Sequence, residues 1–266
     1  MTRYLYFYLG LIFLVPTIVV AIWRRDLRRG VVTIAIFGAV WGPISEFWFF
    51  RDYWHPQSVL GSPLLEDAIY GAGISATASW IYKVVARRTD VAAGAQQTKY
   101  RAACAIAVLY VAAMVVLEMG LGINSILVAI GVYLVASTYI VSHRRDLFVP
   151  SVCSAILMGI IALVGYGLGL NFLVHEPSTL AQIWLLYKKP LGITFLGYVP
   201  LTEVVWYAAW GSLLGILYEF ASGMCIQPLN ASRSGPDNSL LISGDSAGMP
   251  GQRSRSTGRP SARGSP

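Results

Sequence analysis

Two apolar segments open on nearly the same words. Pro63-Leu64-Leu65-Glu66 begins one, and Pro200-Leu201-Thr202-Glu203 begins the other. Proline is tolerated in a first helical turn, where its missing N–H is not needed. Each glutamate then sits about one turn further in, at the outer edge of an apolar helix or just inside it. An acid there can simply favour the positive end of a helix dipole. A carboxyl inside a hydrophobic span is nevertheless costly, and such groups are usually functional. Apolar surroundings favour the neutral acid, and a neutral acid can deliver a proton to a weak base. Asp67, beside Glu66, and Glu46, in the preceding apolar segment, are further acids of the same kind.

Aromatic residues crowd these acids. WGPISEFWFFRDYWHP runs from Trp41 to Pro56, and the second half offers Trp206, Tyr207 and Trp210. Aromatic faces stabilise cations without acting as strong bases. Some of these rings belong to an interfacial belt, which is normal at a membrane edge. Trp41, Phe47, Trp206 and Tyr207 are the candidate pocket residues. Acid donors beside a cation-tolerant lining suit protonation of an alkene followed by ring closure. The substrate would be lipid-soluble and would enter from the bilayer.

The elements that must position these groups are membrane helices. The chain has 266 residues, 56% hydrophobic and only 12% charged, against about 25% charged in soluble domains. Continuous apolar runs near the length of a bilayer crossing predict an all-α polytopic protein and argue against a β-barrel. Seven helices are expected, at about 4–22, 31–50, 63–84, 102–119, 121–141, 148–173 and 195–220. The charges of the first follow its apolar run, so it reads as a span rather than a signal peptide. All 20 lysines and arginines except Arg3, Arg51, Lys188 and Lys189 fall on one side of these spans. The positive-inside rule then places the N-terminus outside and the C-terminus in the cytoplasm of an integral cell-membrane protein. The net charge of +7 is this topology signal rather than a nucleic-acid-binding face. Residues 221–266 are rich in Ser, Gly, Arg and Pro, and predict a disordered cytoplasmic tail.

WRRDL (Trp23 to Leu27) follows the first helix and HRRDL (His143 to Leu147) follows the fifth. Each leads through a helix and an outer loop to the Pro-Leu-x-Glu opening. This predicts two parallel three-helix repeats, 4–85 and 121–220. Parallel repeats need an odd number of spans between them, and helix 102–119 supplies one. The transmembrane domain is then 1–220.

No cofactor or metal is expected. Cys104, Cys153 and Cys225 are scattered, and His55, His143 and His175 are isolated. GYGLGL (Gly165 to Leu170) lies inside an apolar helix without the preceding strand of a dinucleotide site. GSLLG (Gly211 to Gly215) suits close helix approach.

Over residues 1–220 the chain resembles the small integral-membrane lycopene cyclases, the two-subunit bacterial type and its fused archaeal and fungal forms. The resemblance is carried by YLYFYLGLIFLVPTIVVAIWRRD, RDYWHPQSVLGSPLLEDAIYG and GITFLGYVPLTEVVWYAAWG. That family repeats a Pro-Leu-Glu-Glu-type helix opening; here the second acid is kept as Glu66 and Glu203, and Leu65 and Thr202 stand in the first position. The family's Thr-Pro-Trp-Asp-like stretch appears as Gly42-Pro43-Ile44-Ser45, with Glu46 following. The resemblance implies a redox-neutral, flavin-free isomerisation of a lycopene-like carotenoid. Glu66 or Glu203 would act as acid, and the other, Asp67 or Glu46 would help return the proton. Partners compatible with it are a second copy or other carotenoid-pathway enzymes.

Two other readings stay open. One is a cyclase of a non-carotenoid prenylated lipid. The other is a non-catalytic carotenoid- or lipid-binding protein. A transporter lacks the broken helix pairs expected of one, and a prenyltransferase lacks the Asp-rich pair for magnesium diphosphate. Glu118 could face either the pocket or the hairpin surface.

Overall fold

The computed structural model describes residues 4–56, 58, 59, 63–92, 98–173, 183–185, 193–195 and 199–229. The helices are α1 (Leu5–Trp23), α2 (Arg28–Asp52), α3 (Pro63–Val85), α4 (Tyr100–Ala113), α5 (Ser125–His143), α6 (Phe148–Leu173) and α7 (Leu201–Ser222). Helix α4 continues as a π-helix over Met114–Gly120. Short strands β1 (Arg88–Ala92), β2 (Thr194–Phe195), β3 (Val199–Pro200) and β4 (Met224–Pro228) complete the described chain. The protein is all-α in class, and among the described residues six helices are long and apolar enough to cross a membrane.

The exception is α3, for a physical reason. It carries Glu66, Asp67 and Lys83, all buried. Helix α1 and α2 pack on α3, and α5 and α6 pack on α7, while α3 and α7 touch each other. A helix surrounded by protein has no need of an apolar surface, so its small residues Gly71, Ser75, Ala78 and Ser79 let its neighbours come close. A Cβ on Gly38 of α2 would overlap the carbonyl oxygen of Gly71. In the other half, a Cβ on Gly211 would meet the Ser154 carbonyl at 2.7 Å, so GSLLG does serve close packing.

The Arg-Arg-Asp-Leu motifs do the same work twice. Arg24 grips Asp26 through Nε at 2.9 Å and Nη2 at 2.6 Å, and donates to the Arg88 carbonyl of β1 at 2.5 Å. Arg144 grips Asp146 at 2.8 and 2.7 Å, and donates to the Met224 carbonyl of β4 at 3.0 Å. Leu27 and Leu147 are both fully buried plugs. The Arg24 hydrogen bonds hold the Asp26 carboxyl below the usual carboxylate range. Strands β1 and β4 pair antiparallel, with Asp90 opposite Ile226.

Beneath that sheet, Lys83 of α3 forms buried ion pairs with Asp90 at 2.9 Å and with Glu219 of α7. At the opposite end, the segments after α2 and α6 meet. His55 N donates to the Ile183 carbonyl and Leu185 N to the Tyr53 carbonyl, both at 2.8 Å, around a Trp54–Trp184 bridge.

Two expectations need correction. The chain beyond 220 is not irregular from its start: Gly223 takes a left-handed φ of 72°, turns the chain out of α7, and lets Met224–Pro228 pair with β1. The rest of the expected tail, 230–266, lies outside the described residues. The last helix also begins at Leu201 rather than near 195, because Thr194–Phe195 and Val199–Pro200 pair as a small hairpin.

Candidate functional site

A cavity opens between α2, α3, α5 and α7, near the Trp54–Trp184 end. It encloses about 600 Å³ with its open mouth included. Close approach of α2 and α3 at Gly38, Gly42 and Gly71 shapes one wall. Aromatic rings form most of the rest, among them Trp41, Phe49, Tyr133, Trp206 and Trp210. Trp206 and Trp210 stack nearly parallel, with centroids 5.9 Å apart. They lie one turn apart on α7, as i and i+4 side chains must.

Two carboxylates line this space, Glu46 and Glu203. Glu203 Oε1 accepts from the Tyr53 hydroxyl at 2.6 Å and from Trp184 Nε1 at 2.7 Å. The Tyr53 hydroxyl also lies 3.1 Å from Thr202 Oγ1. The bridge between the two outer segments therefore places both donors on this one oxygen. Glu46 Oε1 accepts from Trp54 Nε1 at 3.2 Å, and its Oε2 has no hydrogen-bond partner among the described residues. Each acid is thus held by one member of the Trp54–Trp184 bridge, Glu46 by Trp54 and Glu203 by Trp184.

Glu66 is equally buried, at 1% exposure, but does not line the cavity. Its Oε1 accepts from the Val59 backbone N–H at 2.7 Å, so it ties down the segment entering α3. Asp67 also lies outside the lining; its Oδ1 accepts from the Tyr6 hydroxyl at 2.5 Å, and Tyr6 does reach the cavity. Trp41 and Trp206 both line the cavity. Tyr207 is fully buried behind the wall, its hydroxyl 2.5 Å from that of Tyr70. Phe47 does not belong to the pocket. It is 61% exposed and points away from the helices packed on α2, because two residues of helical phase separate it from the inward face of Phe49.

Other candidates are sorted by the same geometry. Glu118 pairs with Arg51 at 3.6 Å rather than facing the cavity. Thr202 touches the Tyr53–Glu203 contact, while Leu65 is exposed on the outside of α3. An acid at 65 would leave the site rather than complete it. Ser45 lines the cavity, but its hydroxyl donates back to the Gly42 carbonyl at 2.8 Å. Among the described residues no three His, Cys, Asp or Glu side chains gather as a metal site.

Comparison with protein-family models, with curated proteins and with solved structures finds no match to the chain.

Sequence reasoning missed Tyr6, Tyr70, Tyr166 and Trp184. Tyr70, Tyr166 and Tyr207 form a hydroxyl cluster at the floor of the cavity. A signal was present: tyrosine follows glutamate by four residues in both halves, Glu66 to Tyr70 and Glu203 to Tyr207. Trp184 falls between the expected helices 148–173 and 195–220, so no helical phase indicates where its ring goes.

Proposed function

We propose that the chain spans the membrane seven times as two three-helix repeats around α4, and that it closes a ring on a lipid-soluble polyene isoprenoid of the lycopene type. The observation that carries the chemistry is the pairing of Glu203 and Glu46 in one aromatic-walled cavity. Tyr53 and Trp184 hold Glu203 Oε1 in place, and the neutral acid carries the transferable proton. That proton adds to a terminal alkene and forms a tertiary cation. The neighbouring double bond attacks it, and a ring proton leaves to a carboxylate of this pair, which the first proton transfer has generated. The product is an isomer of the substrate, so no redox partner is needed. Trp41, Trp206 and Trp210 offer faces to the cation, and burial keeps water from trapping it. The resemblance to the small membrane lycopene cyclases supports the same reading.

Duplication is supported by contacts between matching positions. Glu66 and Glu203 stand 137 residues apart, and so do Tyr70 and Tyr207, whose hydroxyls touch. Matching residues can touch only near the axis that relates their repeats. Lys83 and Glu219 occupy a similar place 136 residues apart. Arg24, Lys83 and Arg144 collect at the β1–β4 end, which supports that end as cytoplasmic. A reporter fused after Gly223 should be active only on the cytoplasmic side; periplasmic activity would refute the orientation.

The ring-closing reading is tested by expressing the chain in cells that accumulate lycopene. Pigment extracts should contain a product of unchanged mass and blue-shifted absorption. Unchanged lycopene at full expression of the protein, together with no isomerised prenyl lipid, would remove the reading.

A further inference from the structure

A second cleft opens beside the first, between α2, α4, α5 and α7, and encloses about 370 Å³, its opening included. Its walls are carbon almost throughout, from Phe37, Ala103, Ala107, Val132, Leu213 and Leu217. Helix α4 contributes 103, 106, 107 and 110 to it, a single face at helical spacing. The small Ala103 and Ala107 are what leave the space open, while Val108 on the other side of α4 is 68% exposed. Trp41, Tyr133 and Trp210 face both spaces. The acids are confined to the first, and no carboxylate lines the second.

We infer that this second cleft holds the unreacting remainder of a long linear polyene whose terminal group lies in the acid-lined cavity. The inference rests on the proposed cyclisation for the position of the reacting end, and goes beyond it in assigning a site for the chain. One cavity with acids and one without divide an end group that must be protonated from a chain that must not be. The three shared rings form the common wall of the two spaces, so one ligand passing between these rings would occupy both. Flat rings along the passage suit a conjugated chain, which stacks on them, better than a flexible acyl chain. Helix α4 is the natural side of entry. Most of its surface is exposed, and it ends in a π-helix at Met114–Gly120, a form frequent at functional sites. Cleft size at Ala103 and Ala107 then sets the length of substrate accepted.

Binding is the appropriate measurement, because it does not depend on turnover. The full chain in detergent is titrated with lycopene and, separately, with the short tetraene farnesene, following quenching of tryptophan fluorescence. Ala107→Phe fills the cleft and should lower the affinity for lycopene relative to farnesene by at least about tenfold, the scale expected for overpacking a fitted site. Ala103→Phe provides the same test from the previous turn, and Val108→Phe, on the exposed face, controls for altered helix packing. A thermal melt of each variant confirms folding. Equal loss for both ligands, or unchanged lycopene affinity in folded Ala107→Phe and Ala103→Phe, would overturn the assignment. Lycopene competed off by phospholipid acyl chains without any effect of these variants would also overturn it. Length-selective binding without ring closure would uphold the cleft and remove only the cyclisation reading.

Discussion

Glu203→Gln should fold as the parent chain does and lose ring closure by about 10²–10⁴-fold, the usual cost of removing a general acid. The Gln side-chain oxygen can still accept from Tyr53 and Trp184, which hold the native Oε1 at 2.6 and 2.7 Å. The position is therefore kept while the transferable proton is lost. Tyr53→Phe should cost less, since it removes one of two positioning donors and leaves the acid. Glu66→Gln is the contrasting case. Its oxygen can still accept the Val59 N–H, and Glu66 does not line the cavity, so most activity should remain. Product formation per molecule of folded protein is the measurement. Full activity in Glu203→Gln would show that the proton comes from another group, and Glu46 would be tested next.

The largest effect on stability is expected at Lys83. Its ammonium is 3% exposed and holds both Asp90 and Glu219, themselves 2% and 1% exposed. Lys83→Ala leaves two buried acids facing each other without their cation. Breaking a buried ion pair in this way costs about 3–5 kcal/mol, a large part of the roughly 5–15 kcal/mol that keeps a typical domain folded. Thermal or denaturant unfolding in detergent should show a large loss, or the variant should fail to accumulate. Neutralising the whole cluster, as Lys83→Met with Asp90→Asn and Glu219→Gln, should recover much of it, because no charge is then stranded. A Lys83→Ala protein as stable as the parent would mean that water reaches the cluster.

Much of the fold was legible because the bilayer imposes a local rule. Every residue of a span faces the same solvent or the same neighbours, so a run of apolar residues marks a helix by itself. Helix α6 was placed at its observed limits, and α1 and α3 within a residue of theirs. The ends were less legible. Asn124 caps α5 through a 3.2 Å bond to Ile126 N, which moves the start of that helix past the EMGLGIN turn. Strand β4 was hidden because Met224–Pro228 is ordered by β1, which lies far away in the chain. Repeated words were readable as well, and the two Arg-Arg-Asp-Leu motifs turned out to make matching contacts.

The sequence by itself determined that this is a chain of apolar helices with acids near the mouths of two of them. Transfer of a side chain from water to hydrocarbon is a nearly additive property of each residue, and it needs no knowledge of neighbours. Only the tertiary structure decided which acids share a cavity. Glu66 and Glu203 open their helices alike, yet Val59 closes over the first while Tyr53 and Trp184 hold the second at the cavity wall. Those partners arrive from separate loops, and Glu46 joins them because α2 can press against α3 at Gly38 and Gly71. Contacts of that kind depend on three-dimensional distance and helical phase, so two similar motifs can place their carboxylates in different surroundings.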